Sequence, residues 1–318
     1  MLEIALIILP LFILVGMGYL SVKMHLVKPD ALPSIGNLIM YFAIPAVIIN
    51  AVGRTEFSDL LEPWFLLAYA LGSVGAMLFG LLAGRFLFKG RLSEGAIQGL
   101  GMSVPNSMFI GFPLLVLLFP DNPPTVAFVM AVLIENMLTL PLAMILLEVA
   151  VSREQAGVEF SGKRVWQIVS VRLMKNPMLV AIVFGVLVSL LDIQWPEPVD
   201  KILQLLSQMT AALALLFLGI TLASNRLQRV SATVGLTAFG KLVLHPGLVF
   251  LLVLLLPDFD PVLQAAVVVI AAAPMLTIYP IIGERYGHRE FCANTLMFSM
   301  LVSFFTLVMV LHGVRSLG

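Results

Sequence analysis

The sequence predicts an all-α polytopic membrane protein, and its composition supports that prediction in two ways. Of its 318 residues, 60% are hydrophobic and 11% are charged. A typical soluble domain is about 45–50% apolar and about 25% charged. This chain therefore has too many apolar side chains for one core and too few charges for a soluble surface. Its apolar residues form continuous runs rather than the alternation of a membrane β-barrel, which favours transmembrane helices.

Ten segments are long and apolar enough to be interpreted as membrane spans. The N-terminal segment lacks a basic start and a small-residue cleavage site, so we interpret it as the first span rather than a removed signal. The ten predicted spans lie at about residues 2–22, 35–53, 64–88, 94–118, 124–150, 165–191, 202–223, 231–256, 261–284 and 291–314.

The basic residues are distributed unevenly between the two sides that these spans define. Of the 18 Lys and Arg residues, 14 lie on one side and three on the other, and Lys241 lies inside span eight. The positive-inside rule then predicts that both termini are outside and that the connection between spans five and six is cytoplasmic. We therefore expect a multi-pass protein of the inner (plasma) membrane with periplasmic termini. The net charge of zero makes a nucleic-acid partner improbable.

The two halves of the chain repeat the same spacing. The spans of the second half start about 167 residues after those of the first half. Because each half has five spans, an odd number, the second copy must be inverted in the membrane, as in many secondary transporters. The predicted organisation is a first repeat over 1–151, a short cytoplasmic connection over 152–164 and a second repeat over 165–318.

Spans four and nine each contain a central proline, Pro105 and Pro274. Proline removes a backbone donor and clashes with the preceding turn. Two breaks at equivalent repeat positions predict two discontinuous helices that meet near the membrane centre. The N-terminal ends of the second half-helices would then form an anion site without a basic side chain.

Polar side chains inside the spans are the candidate site residues, because such groups are costly in hydrocarbon. Asn106 and Ser107 follow the first break and could bind a carboxylate or cap freed backbone groups. Glu135 and Asn136 lie in the middle of span five. Glu135 could carry a coupling proton, pair with Lys241 or be purely structural.

Lys241 and His245 are four residues apart on one face of span eight. Lys241 is expected to have a carboxylate partner, either Glu135 or the substrate. His245 could carry a proton, although a satisfied structural histidine is the commoner situation. Further candidates, which would line the path or join helices by hydrogen bonds, are Asn50, Thr277, Tyr279 and Asn294.

The motifs of the spans resemble those of the auxin efflux carrier family, which includes plant PIN-type carriers and bacterial malonate- and malate-type permeases. The resemblance covers essentially the whole chain. Its parts are YFAIPAVIINAV in span two, VPNSMFIGFPLL in span four, KNPMLVAIVFGVLVSLL in span six, FGKLVLHPGLVF in span eight and APMLTIYPIIGERYG in span nine.

The resemblance implies a scaffold of spans 1, 2, 6 and 7, a moving transport domain of spans 3–5 and 8–10, and a homodimer. It implies that Pro105 and Pro274 are the crossover prolines and that Asn106 matches the asparagine after the first one. Met275 stands where plant carriers tend to have a second asparagine, which puts auxin-like recognition in doubt. The short connection between spans five and six is typical of a bacterial-type permease.

The function predicted from these features is alternating-access transport of a small organic anion, such as a mono- or dicarboxylate, driven by a gradient. The predicted substrate-binding residues are Pro105, Asn106, Ser107, Pro274, Met275, Asn50 and Tyr279. The alternative is a sodium-coupled organic-anion symporter of the bile-acid type, so the coupling ion is a proton or sodium.

An enzyme and a channel are less favoured. The chain lacks HExxH, GxSxG and GxxxxGK[ST] motifs, and its four histidines are dispersed. Its one cysteine, Cys292, excludes a cysteine-based metal site. We expect no catalytic residues, no cofactor and no metal.

Overall fold

The computed structural model describes residues 2–55, 61–154, 162–163, 167, 170–171, 174–191, 193–224 and 230–314. Throughout these residues the regular structure is helical, without a β-strand. Most of the predicted cytoplasmic connection and of the first part of span six lies outside the described residues. We number the helices α1 (Leu2–Lys23), α2 (Pro29–Val52), α3 (Pro63–Leu87), α4 (Leu92–Ser103), α5 (Ser107–Leu118), α6 (Thr125–Glu154), α7 (Pro177–Leu190), α8 (Glu197–Ala223), α9 (Ala232–Leu255), α10 (Pro261–Ala272), α11 (Tyr279–Arg285) and α12 (Arg289–Val314).

Seven of these helices, α1, α2, α3, α6, α8, α9 and α12, are long and apolar enough to cross a membrane. Three others, α5, α7 and α10, are apolar but shorter. Predicted spans four and nine are each divided, into α4 with α5 and α10 with α11. Proline explains both divisions, because it cannot donate to the helical ladder. The protein is thus an all-helical, multi-pass membrane protein.

The helices pack in two groups. In the first group, α1 packs along α8, and α2 packs against α7 and α8. In the second group, α3 packs against α4 and α9, α4 against α6, and α10 and α11 against α12. Contacts between the groups include those of α5 with α1 and α8, and those of α6 with α2.

Small residues allow the closest helix contacts, as is common in membrane bundles. A Cβ atom at Gly80 of α3 would lie 2.7 Å from the Cα of Gly99 on α4. Gly84 and Gly95, one turn further along the same two helices, are also in backbone contact. The close packing of α3 against α4 therefore stabilises the second group of helices, to which both broken helices belong.

Candidate functional site

The two helix breaks cross each other in the interior of the protein. Pro105, in the break between α4 and α5, lies opposite Met275, in the break between α10 and α11, in an antiparallel arrangement. The Asn106 amide donates to the Pro274 carbonyl at 2.7 Å, and the Leu276 amide donates to the Val104 carbonyl at 3.2 Å. Each break thus satisfies backbone groups that the other has freed, as hydrocarbon surroundings require.

The prolines lie within the extended breaks and not in the first turn of the second half-helices, a position that proline often favours. The α5 helix begins at Ser107 and is capped by Asn106, whose Oδ1 accepts a hydrogen bond from the Phe109 amide at 3.2 Å. The α11 helix begins at Tyr279, five residues after Pro274. A proline therefore follows the end of both α4 and α10. Of the two helices that follow the breaks, α5 begins with a polar side-chain cap and α11 does not.

Asn106 also joins the two breaks through its side chain. Its Nδ2 donates to Thr277 Oγ1 at 2.8 Å. Met275, the sequence counterpart of Asn106, is fully buried against the first break. The polar side chain that the second break contributes to the crossing is therefore Thr277, two residues later.

A cavity of about 1360 Å³ reaches from this crossing to the ends of several helices. Its wall at the crossing includes Thr277 but neither Pro274 nor Met275. Its wall near the helix ends includes the charged residues Glu148, Lys175, Glu284, Arg285 and Arg289. Its polar wall near the crossing consists of Asn106, Ser107, Glu135, Asn136, Asn176 and Thr277.

Two hydroxyl groups, one from α3 and one from the start of α5, bind Glu135 of α6. The Tyr69 hydroxyl donates to Glu135 Oε1 at 2.6 Å, and the Ser107 hydroxyl donates to the same oxygen. Glu135 is only 7% exposed, yet it lines the cavity. Glu135 is therefore a buried carboxyl group that lines the cavity and is joined by a hydrogen bond to Ser107, the first residue after the break.

Asn136 lies beside Glu135 and connects α6 with α7. Its Nδ2 donates to the Val132 carbonyl at 2.8 Å, and its Oδ1 accepts a hydrogen bond from Asn176 Nδ2 at 2.7 Å. Asn176 also caps α7, since its Oδ1 accepts from the Met178 amide at 3.0 Å. The two asparagines therefore form a polar contact between the two helix groups.

Lys241 and His245 form a buried cluster beside Tyr69, and neither residue lines the cavity. Lys241 Nζ donates to the Ala271 carbonyl at 2.6 Å and lies 2.9 Å from His245 Nδ1. His245 Nε2 lies 3.0 Å from the Ser73 hydroxyl. Lys241 thus binds the last turn of α10, where helical carbonyls lack partners.

Glu135 and Lys241 do not form a direct ion pair. The ion pairs of the described residues join Arg54 to Asp200, Arg91 to Glu94, and Arg289 to Glu284. The hydrogen-bond partners of Glu135 are hydroxyl groups, and those of Lys241 are a carbonyl and an imidazole. Of the roles considered for Glu135, direct pairing with Lys241 is therefore excluded in this state.

Besides Pro274 and Met275, two other predicted binding residues lie away from the cavity, Tyr279 and Asn50. Tyr279 is fully buried, and its hydroxyl donates to the Ile97 carbonyl at 2.8 Å. Asn50 of α2 is partly buried, and its Oδ1 lacks a hydrogen-bond partner among the described residues. Neither side chain belongs to the cavity wall. In this state they stabilise helix packing or remain outside the site.

Tyr69 and Asn176 are site residues that sequence reasoning missed. Tyr69 is a tyrosine in the middle of an apolar span, and Asn176 precedes the proline that begins α7. The sequence around each residue could have identified it, since Tyr69 carries a polar group at membrane depth and Asn176 stands at a helix cap. Their partners, Glu135 and Asn136, were unknowable without the packing of α6 against other helices.

Comparison with known proteins agrees with this architecture. Over 99% of its length, the chain is 29% identical to the "Putative malonate transporter" of Rhizobium meliloti (strain 1021), and the match covers 97% of that protein. It is also 23% identical, over 81% of its length, to the lysosomal cholesterol signaling protein of Mus musculus, of which it spans 30%. The sequence model of the membrane transport protein family matches residues 4–311. The chain therefore belongs to that family, the auxin efflux carrier family that its motifs resemble.

Proposed function

We propose that this permease is a secondary carrier for small organic anions, in which the crossing of the two helix breaks holds a substrate carboxylate. The observation that carries the proposal is the meeting of Asn106 and Thr277, one from each break, at the wall of a large cavity. Amide and hydroxyl donors suit a carboxylate. The N-terminus of α5 beside them also favours an anion.

The proposed mechanism is alternating access between two helix groups. The scaffold comprises α1, α2, α7 and α8, and the transport domain comprises the other numbered helices. Ten spans in two inverted repeats underlie both groups. The packing supports this division: α1 with α8 and α2 with α7 are equivalent contacts under the repeat, as are α3 with α4 and α9 with α10.

The residues of the cavity wall support a cytoplasmic opening. The cavity is lined by Lys175, Arg285 and Arg289, which belong to the side rich in basic residues. With both termini outside, this state is open to the cytoplasm. We place the protein in the plasma membrane and expect a homodimer formed through the scaffold.

The test is uptake of labelled malonate, the substrate in the name of the Rhizobium meliloti relative, by the purified protein in proteoliposomes. The Asn106→Ala variant is expected to lose uptake while remaining folded. Asn37→Ala, which removes another cavity-lining asparagine from α2, is the matched control and is expected to keep most of it. Wild-type uptake by Asn106→Ala would contradict the assigned site.

The same preparation distinguishes the coupling ions. Uptake is measured with an imposed proton gradient, with an imposed sodium gradient and with neither. Proton coupling predicts stimulation by the first gradient alone, whereas the alternative of a bile-acid-type symporter predicts stimulation by the second. Currents of single-channel size would instead identify a channel.

A further inference from the structure

Asn136 and Asn176 line the cavity near the crossing, and the proposed carboxylate site does not explain them. Asn136 is only 7% exposed and projects from α6, and Asn176 caps α7. Their side chains are joined by one hydrogen bond of 2.7 Å. Buried amides at membrane depth are costly unless their hydrogen-bonding groups find partners.

Counting donors and acceptors shows what this pair still lacks. Each side-chain amide has two N–H donors and one carbonyl oxygen. The oxygen of Asn136 accepts from Asn176, and the oxygen of Asn176 accepts from the Met178 amide. Asn176 uses one N–H for the oxygen of Asn136. Asn136 uses one N–H for the Val132 carbonyl. Among the described residues, one N–H of each asparagine remains without an acceptor.

The crossing of the two breaks also has unused hydrogen-bond donors. Asn106 uses its oxygen for the Phe109 amide and one N–H for Thr277. In the described part of the chain, one N–H of Asn106 and the hydroxyl hydrogen of Thr277 have no acceptor. The cavity thus presents two pairs of donors, and Glu135 is linked to both, because it is bonded to Ser107, which follows Asn106, and precedes Asn136 in the sequence.

We propose that Asn136 and Asn176 form a second carboxylate subsite, which makes the carrier selective for short dicarboxylates over monocarboxylates of similar size. The proposal rests on the proposed function, because the first carboxylate is held at Asn106 and Thr277. Hydrogen bonds to an ionised acceptor are about twice as strong as neutral ones. Each oxygen of the pair already accepts one hydrogen bond within the protein, and the unused N–H donors favour an anionic group over a neutral one.

The experiment compares malonate with monomethyl malonate, which has nearly the same shape but one carboxylate. Binding of each to the purified full chain is measured by calorimetry at neutral pH. The wild type is expected to bind malonate about tenfold more tightly or better, since a hydrogen bond to a charged group is worth roughly 1.5–3 kcal/mol. Asn176→Asp keeps the acceptor that caps α7 but removes the N–H donors, and is expected to bring the ratio close to one.

Two further variants test whether the effect of Asn176→Asp comes from the lost N–H donors or from the added negative charge. Asn176→Ser keeps a capping oxygen without adding charge, and the ratio is expected to fall with it as well. Asn37→Asp places the same new charge in the wall of the same cavity and is expected to keep the wild-type ratio. The second subsite would be overturned if both Asn176 variants kept the wild-type ratio of malonate affinity to monomethyl malonate affinity. It would also be overturned if Asn37→Asp lowered that ratio as much as Asn176→Asp.

Failure of the proposed function gives a different result. If the wild type binds neither compound, the carboxylate site at the crossing is wrong and the subsite falls with it. If the wild type binds both compounds equally and Asn106→Ala binds neither, the first site stands and only the second subsite is refuted.

Discussion

At the residue scale, the site depends on side chains that satisfy one another before a substrate arrives. Asn106 caps α5 with its oxygen and reaches the second break with its nitrogen. Glu135 receives two hydroxyl donors on one oxygen. Hydrogen bonds of this kind offset the cost of holding polar groups at membrane depth, and side chains already fixed in place would need little rearrangement to bind the proposed anion.

Thr277→Val tests the contribution of the second break. Valine has nearly the same shape but no hydroxyl, so it removes one donor and leaves Asn106 Nδ2 without its 2.8 Å partner. We expect malonate affinity to fall by about tenfold. Calorimetry checks this, with Thr295→Val as control, since the Thr295 hydroxyl bonds only within its own helix. Equal affinities for wild type and Thr277→Val would remove Thr277 from the site.

Glu135→Gln tests proton coupling. Glutamine keeps the size and can accept from Tyr69 and Ser107, but it cannot gain or lose a proton. We expect uptake by this variant to lose the stimulation by a proton gradient that the wild type has. Glu148→Gln, which changes another cavity-lining carboxylate bound by a tyrosine hydroxyl, is the matched control. Retained stimulation in Glu135→Gln would make Glu135 structural.

At the element scale, each broken helix is held by an unbroken neighbour. On one side α4 lies against α3 through glycines, and on the other the last turn of α10 is bound by Lys241 of α9. Because the breaks lack a continuous hydrogen-bond ladder, these neighbouring helices must fix the half-helices in place. The geometry of the crossing is thus a property of helix packing as well as of the two prolines.

Gly99→Val tests this packing. A side chain there meets the Met77 carbonyl of α3, where a Cβ would be 2.6 Å from the oxygen. Overpacking of this kind costs about 1–3 kcal/mol, so the melting temperature in detergent should fall. Gly16→Val is the control, because a Cβ at Gly16 of α1 meets nothing within 4 Å. Equal melting temperatures for both variants would show that the close contact is not needed.

At the scale of the whole molecule, the asymmetry of 14 basic residues against three predicts the orientation. The single cysteine, Cys292, is buried, so introduced cysteines can be labelled against a low background. Leu61 and Lys89 are both exposed and flank opposite ends of α3.

A membrane-impermeant maleimide is expected to label Leu61→Cys in spheroplasts and Lys89→Cys only in inside-out vesicles. Both variants keep Cys292, which serves as the internal control for labelling of a buried thiol. The opposite pattern would invert the topology. Labelling of both positions from one side would show that α3 does not cross the membrane.

Local properties of the sequence determined the class of the protein and the places where its helices break. Hydropathy identifies helices because every backbone group in hydrocarbon must be bonded within its own segment, and proline interrupts a helix wherever it lies. Asn106, Ser107, Glu135 and Asn136 could be chosen as candidate site residues from the sequence, because polar side chains at membrane depth are costly.

Only the tertiary structure decided which of these residues meet. The resemblance placed Met275 where plant carriers tend to have a second asparagine, but the polar side chain that reaches Asn106 from the second break is that of Thr277. Sequence left open a pair between Glu135 and Lys241, and packing gave them separate partners. The reason is physical: the rotation and crossing of one helix against another determine which side chains touch, and that geometry depends on contacts between segments far apart in the chain.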